Sequence, residues 1–467
     1  MAELPAFDAK MSDAEGLMWR MEKDPHLSST FGNVTVLDTK PDFARLVRRM
    51  EYAVYMVPRL RQRVQSAPAN LTAPMWVDDP NFDIHYHVRH VALPKPGTMR
   101  QLLDLASLVV NDAFDRTRPL WQFVVVDGLR GGRSALIEKL HHTIADGEGM
   151  VQLSLAFLDF DRDAAEMPAL TDPSDDPSAE PAPTPASGSS GADAWKGIVA
   201  GSLRMPLGIL RQVRDLLADP TQIPEAGNAA AETIRGVISQ LSDVDGAKSP
   251  LWTRRSLQRR IETLRAPYRE TRDVATKLGG KLNTAFLTVA AEAASRYHVT
   301  LGSPVEALRS SMAISTRSAT SGSNAFSLVR MLIPTGEMPI ADRFALINDA
   351  SAVARGGSGG ASLETLAAVA ATLPTSLVTR LARTQAQTVD FATSNVRGAP
   401  IAMYVAGAQL LENYPVGPLG GVAFNLTLLS YLGSLDMGVN IDTAAVAEPE
   451  LLHRCLVTAF DDLLALA

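Results

Sequence analysis

Cysteine is nearly absent from this 467-residue chain. Cys455 stands alone, which excludes a disulfide framework within the chain and any multi-cysteine metal cluster. Such usage suits a reducing compartment, and a cytoplasmic protein is expected. An excess of basic residues is missing as well. The 44 Lys and Arg are outnumbered by 51 Asp and Glu, a net charge of -7, whereas nucleic-acid binders usually carry a basic footprint, so no nucleic-acid partner is expected. No stretch of about 18 uncharged apolar residues occurs, so a transmembrane helix is not expected. The opening residues, Met1 to Asp8, lack the basic and apolar regions of a secretory signal, and none is expected. There is no Walker loop, no dinucleotide fingerprint between a strand and a helix, and no repeat of solenoid period. These absences remove P-loop and Rossmann chemistry from consideration.

What the chain does have is apolar residues, 46% of the total, enough for sizeable cores in two domains or more. A composition break separates them. Residues 161–194 are rich in Asp, Ala, Ser and Pro, with Pro168, Pro173, Pro177, Pro181, Pro183 and Pro185, and read as a flexible exposed linker between a first half, 1–160, and a second half, 195–467. The second half opens on an amphipathic basic stretch: Ile198, Leu203, Leu207, Leu210 and Leu217 alternate with Lys196, Arg204, Arg211 and Arg214. This pattern fits an anionic lipid surface, or a helix packed on the other half with a solvated basic face.

The most informative segment is Glu138-Lys-Leu-His141-His142-Thr-Ile-Ala-Asp146-Gly147. Before it, Trp121–Val126 and Ser134–Leu140 are β-rich runs separated by Asp127-Gly128 and Gly131-Gly132, a hairpin signal. After it, Met150, Val151, Leu155 and Phe157-Leu158 fit a helix that starts near Asp146 or Gly147. The histidines therefore sit between a strand end and a helix start, where backbone N–H groups favour negative charge and keep an imidazole neutral. A neutral histidine is the natural general base near pH 7. From these residues alone, Asp146 either orients that base or simply caps the helix.

The pattern resembles the His-His-x-x-x-Asp-Gly signature of coenzyme-A-dependent acyltransferases. The flanking blocks resemble one family among them, the bacterial wax ester synthase/acyl-CoA:diacylglycerol acyltransferases: Asp83-Ile-His85-Tyr-His87-Val-Arg89-His90, Arg118-Pro119-Leu120-Trp121, Ser394-Asn395-Val396-Arg397-Gly398 and Asn413-Tyr414-Pro415-Val416-Gly417-Pro418. The resemblance spans nearly the whole chain. It implies an α/β fold of two chloramphenicol-acetyltransferase-like halves, each a mixed β-sheet flanked by helices, with the active-site cleft between them. It also implies direct transfer of a long-chain acyl group from acyl-CoA to diacylglycerol or a fatty alcohol, with acyl-CoA as substrate, no cofactor and no metal. His142 carries over as the general base, His141 as its support, Asp146 as an orienting residue, and Gly147 as backbone near the oxyanion. Asn283 and Asn395 fall in substrate-binding positions by the same resemblance.

Two departures stand out. Relatives often carry Asn-Asp where this chain has Asn283-Thr284, and proline is frequent in relatives within the segment Arg397-Gly-Ala399. Two other readings stay open: an acyltransferase with another donor or acceptor, such as a carrier-protein acyl group or a sugar or polyketide alcohol, and a lipid-binding relative with weakened catalysis. Elsewhere, Arg254, Arg255, Arg259, Arg260, Arg265, Arg269 and Arg272 form a basic cluster that suits the phosphates of coenzyme A or a solvated face; Arg254 and Arg255 are its candidates for substrate binding. His85 and His87 would share one face of a strand but lack a third metal ligand, and are expected to be structural. The lipid substrates imply peripheral contact with the membrane's inner face or with a lipid droplet.

Overall fold

The structure, a computed structural model, describes residues 8–66, 73–165, 247–315, 326–356, 367, 370 and 375–467. The linker from residue 166 onward and the basic stretch that follows it lie outside the described residues. The chain runs from α1 (Asp13–Met21) through β1 (Thr30–Leu37) and α2 (Phe43–Met56) to a small sheet of β2 (Gln62–Gln65) and β3 (Met75–Asp78). A short turn of helix, α3 (Ile84–His87), leads into β4 (Val88–Ala92) and α4 (Met99–Asn111). Both α1 and α4 begin with capping boxes, Ser12 with Glu15 and Thr98 with Gln101, in which side chain and backbone exchange hydrogen bonds that the helix start would otherwise leave unmade. The expected hairpin follows as β5 (Trp121–Leu129) and β6 (Arg133–His141), turned by Gly131 and Gly132 at φ 83° and 73°, where other side chains would be strained. Helix α5 (Gly147–Ser154) comes next.

Beyond the linker come β7 (Arg259–Pro267), α6 (Tyr268–Lys277), α7 (Leu282–Thr300), β8 (Ala307–Ser315), β9 (Phe326–Pro334), α8 (Ile340–Gly356) and α9 (Thr375–Ala386). The described residues end with β10 (Phe391–Arg397), β11 (Tyr404–Val405), β12 (Ala408–Val416), β13 (Phe424–Tyr431), β14 (Ser434–Asp442) and α10 (Pro449–Leu464). Two six-stranded sheets result, ordered β11-β12-β1-β6-β5-β4 and β7-β14-β13-β10-β8-β9. Each is mixed: β4 runs parallel to β5 in the first, and β10 runs parallel to β8 and β13 in the second. This is the α/β architecture expected from the resemblance.

The sheets do not divide where the chain does. Strand β12, which a boundary at residue 194 assigns to the second half, pairs antiparallel with β1 from Gly32↔Val416 to Leu37↔Leu410 and so belongs to the first sheet. Long-range pairing of this kind leaves no local mark in a sequence. Where the sheets meet, Gly438 of β14 passes so close to Pro415 that a Cβ there would lie 2.0 Å from the Pro415 carbonyl oxygen. Only glycine permits that approach.

Apolar cores fill the space around each sheet. One lies between the second sheet and α7 and α10, a second on the α2 side of the first sheet, and a third between that sheet and α4. Cys455 is buried within the first of these, as a structural thiol would be. His85 and His87 do not lie on a strand, as the alternation suggested. Asp83 accepts from the His85 N–H and starts the α3 turn, and the strand begins only at Val88. His87 is sealed between the Phe82 and Trp121 rings, with its Nδ1–H donating to the Trp121 carbonyl at 2.7 Å. Among the described residues no helix is long and apolar enough to cross a membrane, and no group of three or more His, Cys, Asp or Glu is placed to hold a metal ion.

Candidate active site

Strand alternation sorts the side chains of β6. Leu136 and Glu138 line a cavity of about 510 Å³ on one face, while Ala135 and Ile137 join the α4 core on the other. The parity continues past the strand end, so His142 reaches the cavity and His141 turns away. The cavity is walled by both sheets, by β1, β6 and β12 from the first and β10 and β13 from the second, with α1, α5 and α9 closing its sides. Leu17, Met18, Phe31, Met150, Val378 and Leu381 make much of its surface apolar.

His142 is the first residue after β6, and its N–H donates to the Ser29 carbonyl at 3.1 Å, which ties the turn to the strand beside it. Its ring lies against Phe31, with centroids 4.6 Å apart. Burial holds its pKa down to about 4, and the neighbouring His141 adds to that; Asp146 and Glu22 act in the opposite sense. The imidazole is therefore neutral at physiological pH, as the sequence position suggested, but burial is the main cause.

His141 is buried and fully engaged. The Thr143 N–H donates to its Nδ1 at 3.2 Å, so the ring proton sits on Nε2, which donates to Glu22 Oε2 at 3.1 Å. Burial alone would raise the Glu22 carboxyl, but hydrogen bonds from His141, Ser28 and the Ser29 N–H outweigh it and bring the pKa to about 2. A smaller cavity of about 290 Å³ lies on this side, lined by His141, Glu22, Arg116 and Arg259 among others.

Asp146 both caps α5 and lines the main cavity. Its Oδ1 accepts from the Gly149 N–H at 2.7 Å, and its carbonyl accepts from Met150 at 2.8 Å. The capping role is therefore the one its hydrogen bonds display, and the carboxylate it fixes acts on His142 through its charge. Gly147 follows directly as the first residue of the helix.

Of the second half's four candidate residues, one, Asn395, reaches the cavity wall. Asn395 lines the cavity from β10, and its Nδ2 donates to Asn283 Oδ1 at the start of α7. Thr284, where relatives often have an acid, is buried and donates from Oγ1 to Asn348 Oδ1 at 3.1 Å. Among the basic residues, Arg255 donates to the Gly421 and Trp252 carbonyls, and Arg254 is exposed; neither lines the main cavity. Arg259, Arg260 and Arg265 pair with Asp442, with Glu262 and Glu450, and with Asp436.

Sequence reasoning missed one polar feature. On the cavity face of β12, β1 and β6, Asn413 stands opposite Thr35, and Asn33 opposite Glu138. Asn33 Nδ2 lies 2.7 Å from Glu138 Oε2 and 2.9 Å from Thr35 Oγ1, and also contacts Asn413 Oδ1. Residues so far apart in the chain meet only through register.

Comparison with known proteins covers both halves. Residues 11–286 match the wax ester synthase/diacylglycerol acyltransferase catalytic domain, and residues 322–464 the corresponding C-terminal domain. A putative diacylglycerol O-acyltransferase of Mycobacterium tuberculosis is 31% identical, over 100% of this chain and 94% of its own. A wax ester synthase/diacylglycerol acyltransferase from Marinobacter aquaeolei VT8 superposes with a TM-score of 0.66 at 20% identity, covering 97% of this chain and 98% of that one. A starter condensation domain of rhizomide synthetase, solved with C8-CoA, has a TM-score of 0.54 at 11% identity, covering 96% and 94%.

Proposed function

Because this chain belongs to the wax ester synthase/diacylglycerol acyltransferase family, we propose that it transfers a long-chain acyl group directly from acyl-CoA to the hydroxyl of diacylglycerol or of a fatty alcohol, with His142 as general base. The chain is an O-acyltransferase, and acyl-CoA enters as its substrate. The observation that carries the His142 role is a neutral imidazole opening onto an otherwise largely apolar cavity between the sheets. His142 takes the acceptor's hydroxyl proton as the oxygen bonds to the thioester carbonyl carbon. Collapse of the tetrahedral intermediate breaks the C–S bond, and the imidazolium returns the proton to the departing thiolate. Asp146 and Glu22 favour the imidazolium in between. Backbone N–H at the start of α5, near Gly147, is the proposed donor to the oxyanion. Asn395, held by Asn283, faces the substrate from the second sheet. Arg254, exposed and not engaged with carbonyls as Arg255 is, stays the candidate for coenzyme A phosphate. Insoluble substrates make peripheral contact with a cytoplasmic membrane face or lipid droplet part of the proposal.

The test is release of free coenzyme A from palmitoyl-CoA by the purified protein, with diacylglycerol, hexadecanol or no acceptor, the lipid products being separated by chromatography. Acceptor-dependent release supports the proposal. Turnover only with an acyl group on a carrier protein would replace it with condensation-type chemistry, and lipid binding without turnover would leave a non-catalytic relative.

A pH profile follows from His142. A base works when unprotonated, and burial lowers its pKa, so activity governed by His142 stays level from pH 7 down to about 5 and falls through about pH 4. Initial rates in short assays, with folding followed by circular dichroism, check this. A limb near pH 6.5 that vanishes in a His142 variant would contradict it.

A further inference from the structure

Most of the cavity wall suits an alkyl chain, but the row across β12, β1 and β6 interrupts it. Thr35 and Glu138 are buried, at 3% and 6% exposure, and bare methylene groups laid over the row would leave its polar atoms unsolvated. Part of the row is satisfied from within. Asn33 Nδ2 donates to Glu138 Oε2 at 2.7 Å and contacts Asn413 Oδ1, which also accepts from the Thr35 hydroxyl at 3.0 Å. Asn33 Oδ1 has no partner but is sealed within the wall. Two further atoms are spare and within reach. Glu138 Oε1 and Asn413 Nδ2 have no hydrogen-bond partner among the described residues, belong to side chains that line the cavity, and are not closed off from it. Both side chains meet the same nitrogen, Asn33 Nδ2, so the two spare atoms are neighbours across β1.

We infer that Glu138 and Asn413 seat a hydroxyl carried partway along a substrate's alkyl chain, about ten carbons from the reacting carbon, and so admit hydroxylated chains that an apolar wall would reject. The inference rests on the acyltransferase reading above. Register sets the position. Glu138 precedes His142 by four residues along β6. At about 3.3 Å per residue that is about 13 Å, the length of about ten methylene groups in an extended chain. The spare atoms set the chemical class. Asn413 Nδ2 only donates, whereas the Glu138 oxygen accepts when the carboxyl is ionised and can donate when it is protonated. A hydroxyl, with one hydrogen and two lone pairs, meets both atoms in either state; an ester or ketone oxygen only accepts, and an ammonium only donates. The hydroxyl can arrive on the acyl group of acyl-CoA or on a fatty-alcohol acceptor, since both chains start from the carbon or oxygen that reacts beside His142.

The test compares kcat/KM for hydroxylated and plain chains in the wild type, Glu138→Leu and Asn413→Leu. One arm places the hydroxyl in the donor, 10-hydroxyoctadecanoyl-CoA against octadecanoyl-CoA, with hexadecanol as acceptor. The other places it in the acceptor, 1,10-octadecanediol against 1-octadecanol, with palmitoyl-CoA, and scores the ester at the primary hydroxyl. In at least one arm the wild type is expected to use the hydroxylated chain within about threefold of the plain one, whereas an unpaired hydroxyl against an apolar wall would cost about tenfold or more. Each leucine variant should lower the ratio in that arm about tenfold, the effect of losing one hydrogen bond and leaving the hydroxyl buried without it. Because both chains are assayed on one preparation, the ratio cancels any loss of folded protein. A wild type that rejects the mid-chain hydroxyl by about tenfold or more in both arms overturns the assignment, as does a ratio unchanged in both leucine variants. A wild type that releases no coenzyme A with any of these pairs removes the acyltransferase reading itself, an outcome visible without any variant.

Discussion

Replacing His142 with alanine is expected to lower turnover by about two to four orders of magnitude while leaving acyl-CoA affinity nearly unchanged. The imidazole acts on a proton in flight, so its removal weakens the transition state far more than the ground state. The side chain sits at the cavity wall against Phe31, and its backbone N–H, bonded to Ser29, is retained in alanine. Folding should therefore survive. Single-turnover rates and acyl-CoA titration on the same preparation separate the two effects. A variant that turns over within about tenfold of the wild type would remove His142 as the base.

The adjacent substitution should fail in a different way. His141→Ala leaves the Glu22 carboxylate without its Nε2–H donor and the Thr143 N–H without its acceptor, in a place nearly closed to water. A loss of about 3 kcal/mol in stability is expected, read from denaturant unfolding. Glu22 also gives this variant a pH signature. The folded carboxyl lies at about 2, below its ordinary 4.5, so its stabilising contribution is present above about pH 4.5 and is lost as pH falls toward 2. Without His141, which holds that pKa down, the acid-dependent part of the stability should shrink. Equal stability of the two proteins, together with a rate loss larger than that of His142→Ala, would reverse the roles given to the pair.

Much of this was legible in the chain. The hairpin of β5 and β6, the helix after it and the cavity-facing parity of His142 are local, written in glycines, alternation and a capping aspartate within one short stretch. The family and the mixed α/β fold follow from blocks that a single sequence displays. What could not be read depends on partners far away in the chain. Arginines at 259, 260 and 265 look like an open basic patch until acids from other segments are seen beside them. The turn at Ile84–His87 misled because alternating histidines imitate a strand, and Asp83 decides the matter through one hydrogen bond. Glu138 was in view within the motif, but its meaning depends on Asn33 and Asn413, which arrive by register alone.

The strand exchanged between the halves has a bearing on synthesis and on modular exchange. Until residues 404–416 have left the ribosome, β1 is an open edge and the cavity lacks a wall, although residues 30–141 already hold four of the six strands of that sheet. At translation rates of about 5–20 residues per second, that interval is on the order of ten seconds to a minute. For the same reason a chimera joined within the linker cannot exchange second halves cleanly. It would bring a foreign edge to the first sheet, and the donor of that strand would also supply the residue at position 413, which lines the cavity.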